Sequence, residues 1–254
     1  MNVKPNAFLA KLRAGTPQLG VWVGLASPLA AEIVAGAGFD WAMIDMEHSP
    51  NDLNSTLGQL QAFAAYETTA MVRPEWNDAV LVKRLLDIGA QGLLFPMVQT
   101  VEEATKAIAS TRYPPHGIRG VSTATRANRF GRAKDYFTKA EAELAVLLQV
   151  ETRAAVNLAG QIGALPGCDG VFFGPADIGA DMGILGQPLH PDIWDFILPV
   201  ARTLIKAGIP VGTLVGNPAF ARKLLDEGFT FVACGVDTSI LTHGVDALLK
   251  TMKA

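Results

Sequence analysis

Short apolar runs recur along this chain, separated by stretches in which apolar residues return every three or four positions. Eight runs read as strands: LGVWVGL (19–25), WAMIDME (41–47), TAMVRP (69–74), GLLFPMV (92–98), AVLLQVE (145–151), GVFFGPA (170–176), PVGTLV (210–215) and FVACGVD (231–237). Their near-continuous apolar character suits parallel strands covered on both faces. Helical periodicity fills the intervals at 28–37, 52–65, 78–88, 101–111, 152–164, 191–207, 217–226 and 239–252. Asn77 and Asp78 stand before the third helix, and Asn217-Pro218 opens the seventh, as helix starts prefer. Gly38, Gly89, Gly167 and Gly228 each fall between a helix and a strand, where glycine ends a helix in a left-handed conformation. Eight strand–helix units predict one closed (β/α)8 TIM barrel over residues 1–254, and about 250 residues is typical of that fold. An open doubly wound sheet is the alternative, and the lack of G-x-G-x-x-G after the first strand counts against its dinucleotide-binding form.

One segment departs from the alternation. Residues 112–140, RYPPHGIRGVSTATRANRFGRAKDYFTKA, separate the fourth helix from the fifth strand and are rich in arginine. A loop of this length in a compact domain is usually functional or disordered.

Composition narrows the function. Half the residues are hydrophobic and 18% are charged, enough for a large core. A net charge of −3 gives no reason to expect nucleic acid or an anionic membrane as partner. No run approaches the roughly 18 apolar residues that cross a bilayer, and the N-terminal AFLA is too short for a signal-peptide core. Cys168 and Cys234 have no metal-binding spacing and read as reduced core thiols. The expectation is a cytoplasmic enzyme.

Barrel enzymes build their sites at the C-terminal ends of the strands. Those ends carry Asp45, Glu47 and His48, then Arg73, then Gln149 and Glu151, then Asp177, then Asp237; the opposite ends show no such enrichment. Glu151 and Asp177 come from neighbouring strands. Facing carboxylates repel unless a proton or cation lies between them, and their hard oxygens suit Mg²⁺ or Mn²⁺. The alternative is that each caps a helix or pairs with an arginine. His48 follows Asp45 by three residues, so a carboxylate on one ring nitrogen would leave the other as a base; the alternative is an ordinary surface histidine. Arg73 at a strand end would neutralise an oxyanion, or else form a salt bridge to Glu47 or Glu75. FFGPADIGADMG (172–183) turns from strand into short helix, whose first amides bind anions, with Gly174 and Ala176 permitting close approach; an ordinary Gly-Pro turn is the alternative. His116, His190 and His243 read as structural. None of the ten lysines falls at a strand's C-terminal end, which disfavours Schiff-base chemistry.

GFDWAMIDMEHSPND, VRPEWND, IGAQGLLFPMVQTVEEA, RYPPHGIRGVS, LLQVET and GVFFGPADIGADMG together resemble the HpcH/HpaI aldolase family over nearly the whole chain. The resemblance implies a (β/α)8 barrel that assembles as a homohexamer, a trimer of dimers, with the last helix exchanged between partners. It implies a class II aldolase that cleaves 4-hydroxy-2-oxo acids to pyruvate, or hydroxypyruvate, and an aldehyde. The cofactor would be a divalent cation (Mg²⁺, Mn²⁺ or Co²⁺) held by Glu151 and Asp177. His48 would be the base, oriented by Asp45, and Arg73 would stabilise the enolate. Gln149 and the Ala176 backbone would contact substrate beside Gly174. Asp87 matches a carboxylate that reaches a neighbouring subunit's site; spacing alone reads it as a surface helix residue. Met46 departs from the family's glycine in D-G-E-H. Residues 116–130 and a neighbouring subunit would wall the aldehyde pocket; Arg119, Arg126 and Arg129 there read first as solvated surface arginines, with preference for an acidic acceptor as the alternative. The rival readings are a citryl- or malyl-thioester lyase of the same barrel class and a non-catalytic barrel that binds an oxo acid.

Overall fold

Alternation along the strands sorts side chains into two cores. The computed structural model describes residues 2–253. In chain order the elements are α1 (Ala7–Arg13), β1 (Gln18–Val23), α2 (Pro28–Ala35), β2 (Trp41–Asp45), α3 (Leu53–Phe63), β3 (Thr69–Arg73), α4 (Ala79–Asp87), β4 (Gly92–Phe95), α5 (Val101–Thr111) and α6 (Tyr136–Lys139). There follow β5 (Ala145–Val150), α7 (Arg153–Gly163), β6 (Gly170–Phe173), α8 (Pro175–Asp181), α9 (Pro191–Lys206), β7 (Val211–Leu214), α10 (Pro218–Asp226), β8 (Phe231–Val236) and α11 (Asp237–Lys253). The strands pair in sequence order, all parallel, and β8 closes on β1. The predicted barrel is therefore observed, and the open sheet is not.

Within β2, Trp41 and Met43 join the cluster inside the barrel, whereas Ala42 and Ile44 join the layer between strands and helices. Met46 continues the outward phase and is buried in that outer layer. The family's glycine position therefore tolerates methionine here without filling the mouth. The interior is packed by pairing large with absent side chains: a Cβ on Gly20 would lie 2.1 Å from the Trp41 ring, and one on Gly212 would lie 2.2 Å from the Phe231 ring. The junction glycines behave as expected, with φ of 90° at Gly38, 97° at Gly89, 94° at Gly167 and 103° at Gly228. Asp78 caps α4 by accepting from the amides of Val80 and Leu81 at 2.8 and 3.0 Å, and Asn217 caps α10 through Phe220 at 2.9 Å.

Three findings go beyond the predicted elements. First, α1 was not foreseen. Its Phe8, Leu9 and Leu12 complete the interior cluster, and Phe8 meets Trp41 and Phe231 edge-on with centroids 6.0 and 5.9 Å apart. Gln18 at the foot of β1 donates to the Phe8 carbonyl, so α1 stoppers the N-terminal end of the barrel. Second, the 112–140 segment connects the end of α5 to the start of β5, which puts it at that same lower end. Arg126 clamps it there through the carbonyls of Ile88 and Leu60 at 2.7 and 3.3 Å, beside the ends of α4 and α3. Third, α11 buries only Asp237. Ile240, Leu241, Val245, Leu248, Leu249 and Met252 are all more than half exposed.

Phe8→Ala is expected to lower stability by about 3–5 kcal/mol, the usual loss for truncating a fully buried phenylalanine. Urea unfolding followed by circular dichroism measures it; a loss under about 1 kcal/mol would mean that α1 is only laid against the barrel.

Candidate active site

The upper rim gathers polar groups from four strand ends. Asp45 closes β2 and Arg73 closes β3, and the two are direct partners in the sheet register. Their side chains form a bidentate pair: Nε donates to Asp45 Oδ1 at 2.9 Å and Nη2 to Oδ2 at 2.7 Å. Both are buried. Burial pushes the guanidinium's pKa down, but its hydrogen bonds to Asp45 and the charges of Asp45, Glu47 and Glu151 outweigh it and hold the pKa above the usual value. Glu47 approaches Nη1 at 2.8 Å. The indole of Trp22 lies under the guanidinium, 5.4 Å from ring centroid to Cζ, a cation–π contact.

The loop after β2 is wound tightly on itself. The Asp45 carbonyl accepts from Ser49 Oγ and from the buried Asn51 at 2.7 Å. The Asp45 carboxylate accepts the amides of Glu47 and His48 at 3.0 and 3.4 Å. This turns Glu47 inward and leaves the His48 side chain 65% exposed at the rim. Among the described residues no hydrogen bond joins Asp45 to the imidazole; its oxygens are taken by Arg73 and the two amides. The carboxylate nearest the ring is Glu47, with Oε2 3.9 Å from Nε2.

Gln149 and Glu151 point to the same side of β5. Glu151 is 1% exposed; Oε1 accepts the Met97 amide at 2.8 Å and Oε2 accepts Gln149 Nε2 at 2.6 Å. Gln149 Oε1 is buried without a hydrogen-bond partner. Gly174 follows β6, and a Cβ there would come 2.7 Å from Glu151 Oε2, so the absent side chain is the seat of that carboxylate. Gly174 is the N-cap of α8, and Ala176 and Asp177 are exposed in its first turn. Burial lifts the Glu47 carboxyl to about 7 against the pull of Arg73, with Asp45 and Asp177 adding repulsion. Burial lifts Glu151 to about 7 as well, opposed by the Met97 and Gln149 bonds and reinforced by Glu47 and Asp177. Three carboxylates thus feel one another across the mouth.

Among the described residues, no group of three or more His, Cys, Asp or Glu is set around one point as a ready metal cage. Glu151 and Asp177 supply two hard oxygens, an incomplete set of the kind that leaves a divalent cation's other positions to water and substrate. The unpartnered Gln149 oxygen, the cradle at Gly174 and the mutual repulsion of the carboxylates all fit a cation there.

Three predicted residues, Asp87, Arg119 and Arg126, lie at the lower face, and Asp237 stays at the rim in a structural role. Asp87 ends α4 at the lower face, paired with Arg119 Nη2 at 3.0 Å. Arg119 in turn bonds the Tyr136 hydroxyl at 3.1 Å and lies over the Tyr113 ring. With Arg126 bound to carbonyls, neither arginine is free to recognise an acceptor, and the 116–130 segment does not wall the mouth of its own chain. Asp237 serves structure: it accepts the amides of Gly24 and Leu25 at 2.8 and 3.1 Å, tying the ends of β8 and β1. A cavity of about 1010 Å³ lies at the lower face, lined by Arg119, Arg126, Phe130 and the N-terminal segment, away from the rim. Trp22 is not among the predicted site residues, although its inward phase in β1 signals it; the Met97 amide, presented by a backbone with φ of 52°, has no sequence signal.

The sequence profile of the HpcH/HpaI aldolase/citrate lyase family matches residues 18–244. The chain belongs to this family. A relative described as 4-hydroxy-2-oxo-heptane-1,7-dioate aldolase, from Salmonella dublin, is 50% identical over 96% of this chain and 93% of its own. An HpcH/HpaI aldolase/citrate lyase family protein from Burkholderia cenocepacia superposes with a TM-score of 0.94 at 38% identity, covering 98% of this chain and 100% of that one. The protein CitE from Mycobacterium tuberculosis, in complex with magnesium and pyruvate, shares the fold at 14% identity and a TM-score of 0.59, covering 89% of this chain and 88% of that one. The HpcH/HpaI barrel thus accounts for the arrangement of strands and for a mouth built from their C-terminal ends.

Two outcomes are expected. Gly174→Ala displaces the Glu151 carboxylate and should weaken Mn²⁺ binding about 10–100-fold, measured by isothermal titration; unchanged affinity would detach Glu151 from the metal. Second, a carboxyl whose pKa is raised on folding stabilises the fold at low pH, and that contribution is lost as pH climbs from about 4.5 through about 7. A cation offsets the loss, so the rise in melting temperature on adding Mg²⁺ should grow between about pH 5 and 8; a rise independent of pH would argue against Glu151 as ligand.

Proposed function

We propose that this chain is a divalent-metal-dependent aldolase that reversibly cleaves 4-hydroxy-2-oxo acids into pyruvate, or hydroxypyruvate, and an aldehyde. One observation carries the reading: a buried guanidinium, charge-paired with Asp45 and Glu47, shares the barrel mouth with the carboxylates of Glu151 and Asp177. Cationic groups fixed where an enolate forms are what carbon–carbon cleavage next to a carbonyl requires. The activity named for the Salmonella relative supports the same reading.

Glu151 and Asp177 would hold the cation, Mg²⁺, Mn²⁺ or Co²⁺. When bound, it supplies Lewis-acid polarisation of a keto oxygen. The other roles fall to this chain's own groups. The first amides of α8 lack partners within the helix, so the Ala176 amide is available to the substrate carboxylate, with Gly174 leaving room. Gln149 borders the same space. His48 takes the proton of the 4-hydroxyl group, the C3–C4 bond breaks, and the aldehyde leaves. Arg73 spends two of its five N–H donors on Asp45 and its Nη1 is paired by charge with Glu47, which leaves N–H donors for the enolate oxygen. A proton returned to C3 gives pyruvate.

The assembly is a homohexamer, a trimer of dimers, in which α11 docks on a partner; its exposed apolar side chains support such a covering. Asp87 and the 116–130 segment, remote from their own mouth, would act on a neighbour's. Both cysteines are free, in keeping with a reduced cytoplasmic setting.

The test is pyruvate release from a panel of 4-hydroxy-2-oxo acids, with and without EDTA. Chelation should abolish release and Mn²⁺ restore it; release that ignores EDTA would end the reading, and cleavage only of acyl thioesters would favour the lyase alternative. Arg73→Ala should lose about 10²–10³-fold in turnover with metal affinity retained. Full activity in that variant would remove Arg73 from enolate stabilisation.

A further inference from the structure

The aldolase reading leaves the base without a fixed partner, because Asp45 is consumed by Arg73 and by backbone amides. We infer that Glu47 is a positioning residue for both halves of the reaction: it aims the Arg73 donors and it orients the His48 ring. This rests on the function proposed above.

Three observations support it. One oxygen, Glu47 Oε2, lies 2.8 Å from Arg73 Nη1 and 3.9 Å from His48 Nε2, so a single carboxylate stands between the two groups. Among the described residues no other carboxylate comes within ion-pair distance of the His48 ring. And the loop is built to present Glu47: its amide is held by Asp45 Oδ1 at 3.0 Å, while Ser49 and Asn51 bind the Asp45 carbonyl. With the backbone pinned, the Glu47 side chain stays turned inward, 10% exposed, beside an imidazole that is 65% exposed. The 3.9 Å separation is longer than a hydrogen bond, and such contacts tighten when substrate loads the site.

The Glu47 carboxylate lies against Nη1 as an ion pair, its Oε2 making no hydrogen bond, on the side away from the bidentate Asp45 pair. Without it the guanidinium is held along one edge only and can swing about that edge, and its spare donors lose their aim. On the imidazole side, a carboxylate stabilises the ring once it has accepted a proton. A neutral amide of the same length keeps an acceptor for Nη1 and removes that stabilisation.

The experiment uses the full chain in its native assembly, loaded with Mg²⁺, and compares wild type with Glu47→Ala and Glu47→Gln. Two rates are read: pyruvate release from a 4-hydroxy-2-oxo acid, and exchange of the pyruvate methyl protons with deuterated solvent. Glu47→Ala should lose at least about tenfold in kcat and in exchange, with KM and Mg²⁺ affinity within about twofold of wild type. Glu47→Gln should recover most of the exchange rate and little of the cleavage rate. Cleavage by Glu47→Ala within about twofold of wild type overturns the inference. So does a loss in both variants that simply tracks a fallen melting temperature or weakened Mg²⁺ binding, the mark of a structural role. A wild type silent in both assays would sink the aldolase reading itself, whereas an active wild type with an equally active Glu47→Ala sinks only the role of Glu47.

Discussion

An arginine with almost no access to water sits at the rim of this barrel, and the rest of the rim is arranged to keep it charged. A buried guanidinium is tolerated only when its charge and its donors are answered. Asp45 answers along one edge from the adjacent strand, Glu47 from the loop, and Trp22 from beneath. The sheet register delivers the first of these without any loop, because Asp45 and Arg73 are paired positions on β2 and β3. Once that pair is in place, the path of the loop to Asn51 follows, since the same aspartate also gathers backbone amides. Burial, reinforced by the repulsion among these carboxylates, makes Glu47 and Glu151 hold protons more readily than ordinary carboxylates, and a divalent ion suits the gap.

Much of this was legible in the sequence, for reasons that differ by residue. The strands announced themselves through unbroken apolar runs, and each of the eight was located within a few residues. The junction glycines and the Asp78 and Asn217 caps are local signals, decided by one or two dihedral angles or one hydrogen bond. The rim residues were readable because a polar group ending an apolar strand has only a few physical explanations. From sequence Glu47 reads as a salt-bridge partner for Arg73, and its place between Arg73 and His48 depends on the turn of a loop that no periodicity describes.

What the sequence did not reveal lies in longer-range geometry. Helix α1 is a seven-residue amphipathic segment, too short to stand out, and its worth comes entirely from Trp41 and Phe231, which are far away along the chain. The 112–140 segment was recognised as an insertion, but which end of the barrel it occupies follows from its connecting a helix to the next strand rather than a strand to the next helix. That single topological fact moves Arg119, Arg126 and Asp87 to the opposite face. The expected Asp45–His48 contact failed for a reason of competition: a guanidinium offering two parallel donors outbids an exposed imidazole for the same two oxygens.

The plug formed by Phe8, Leu9 and Leu12 gives the molecule a dead end. With the interior filled from Trp22 down to that plug, whatever binds at the rim comes and goes by the upper face alone.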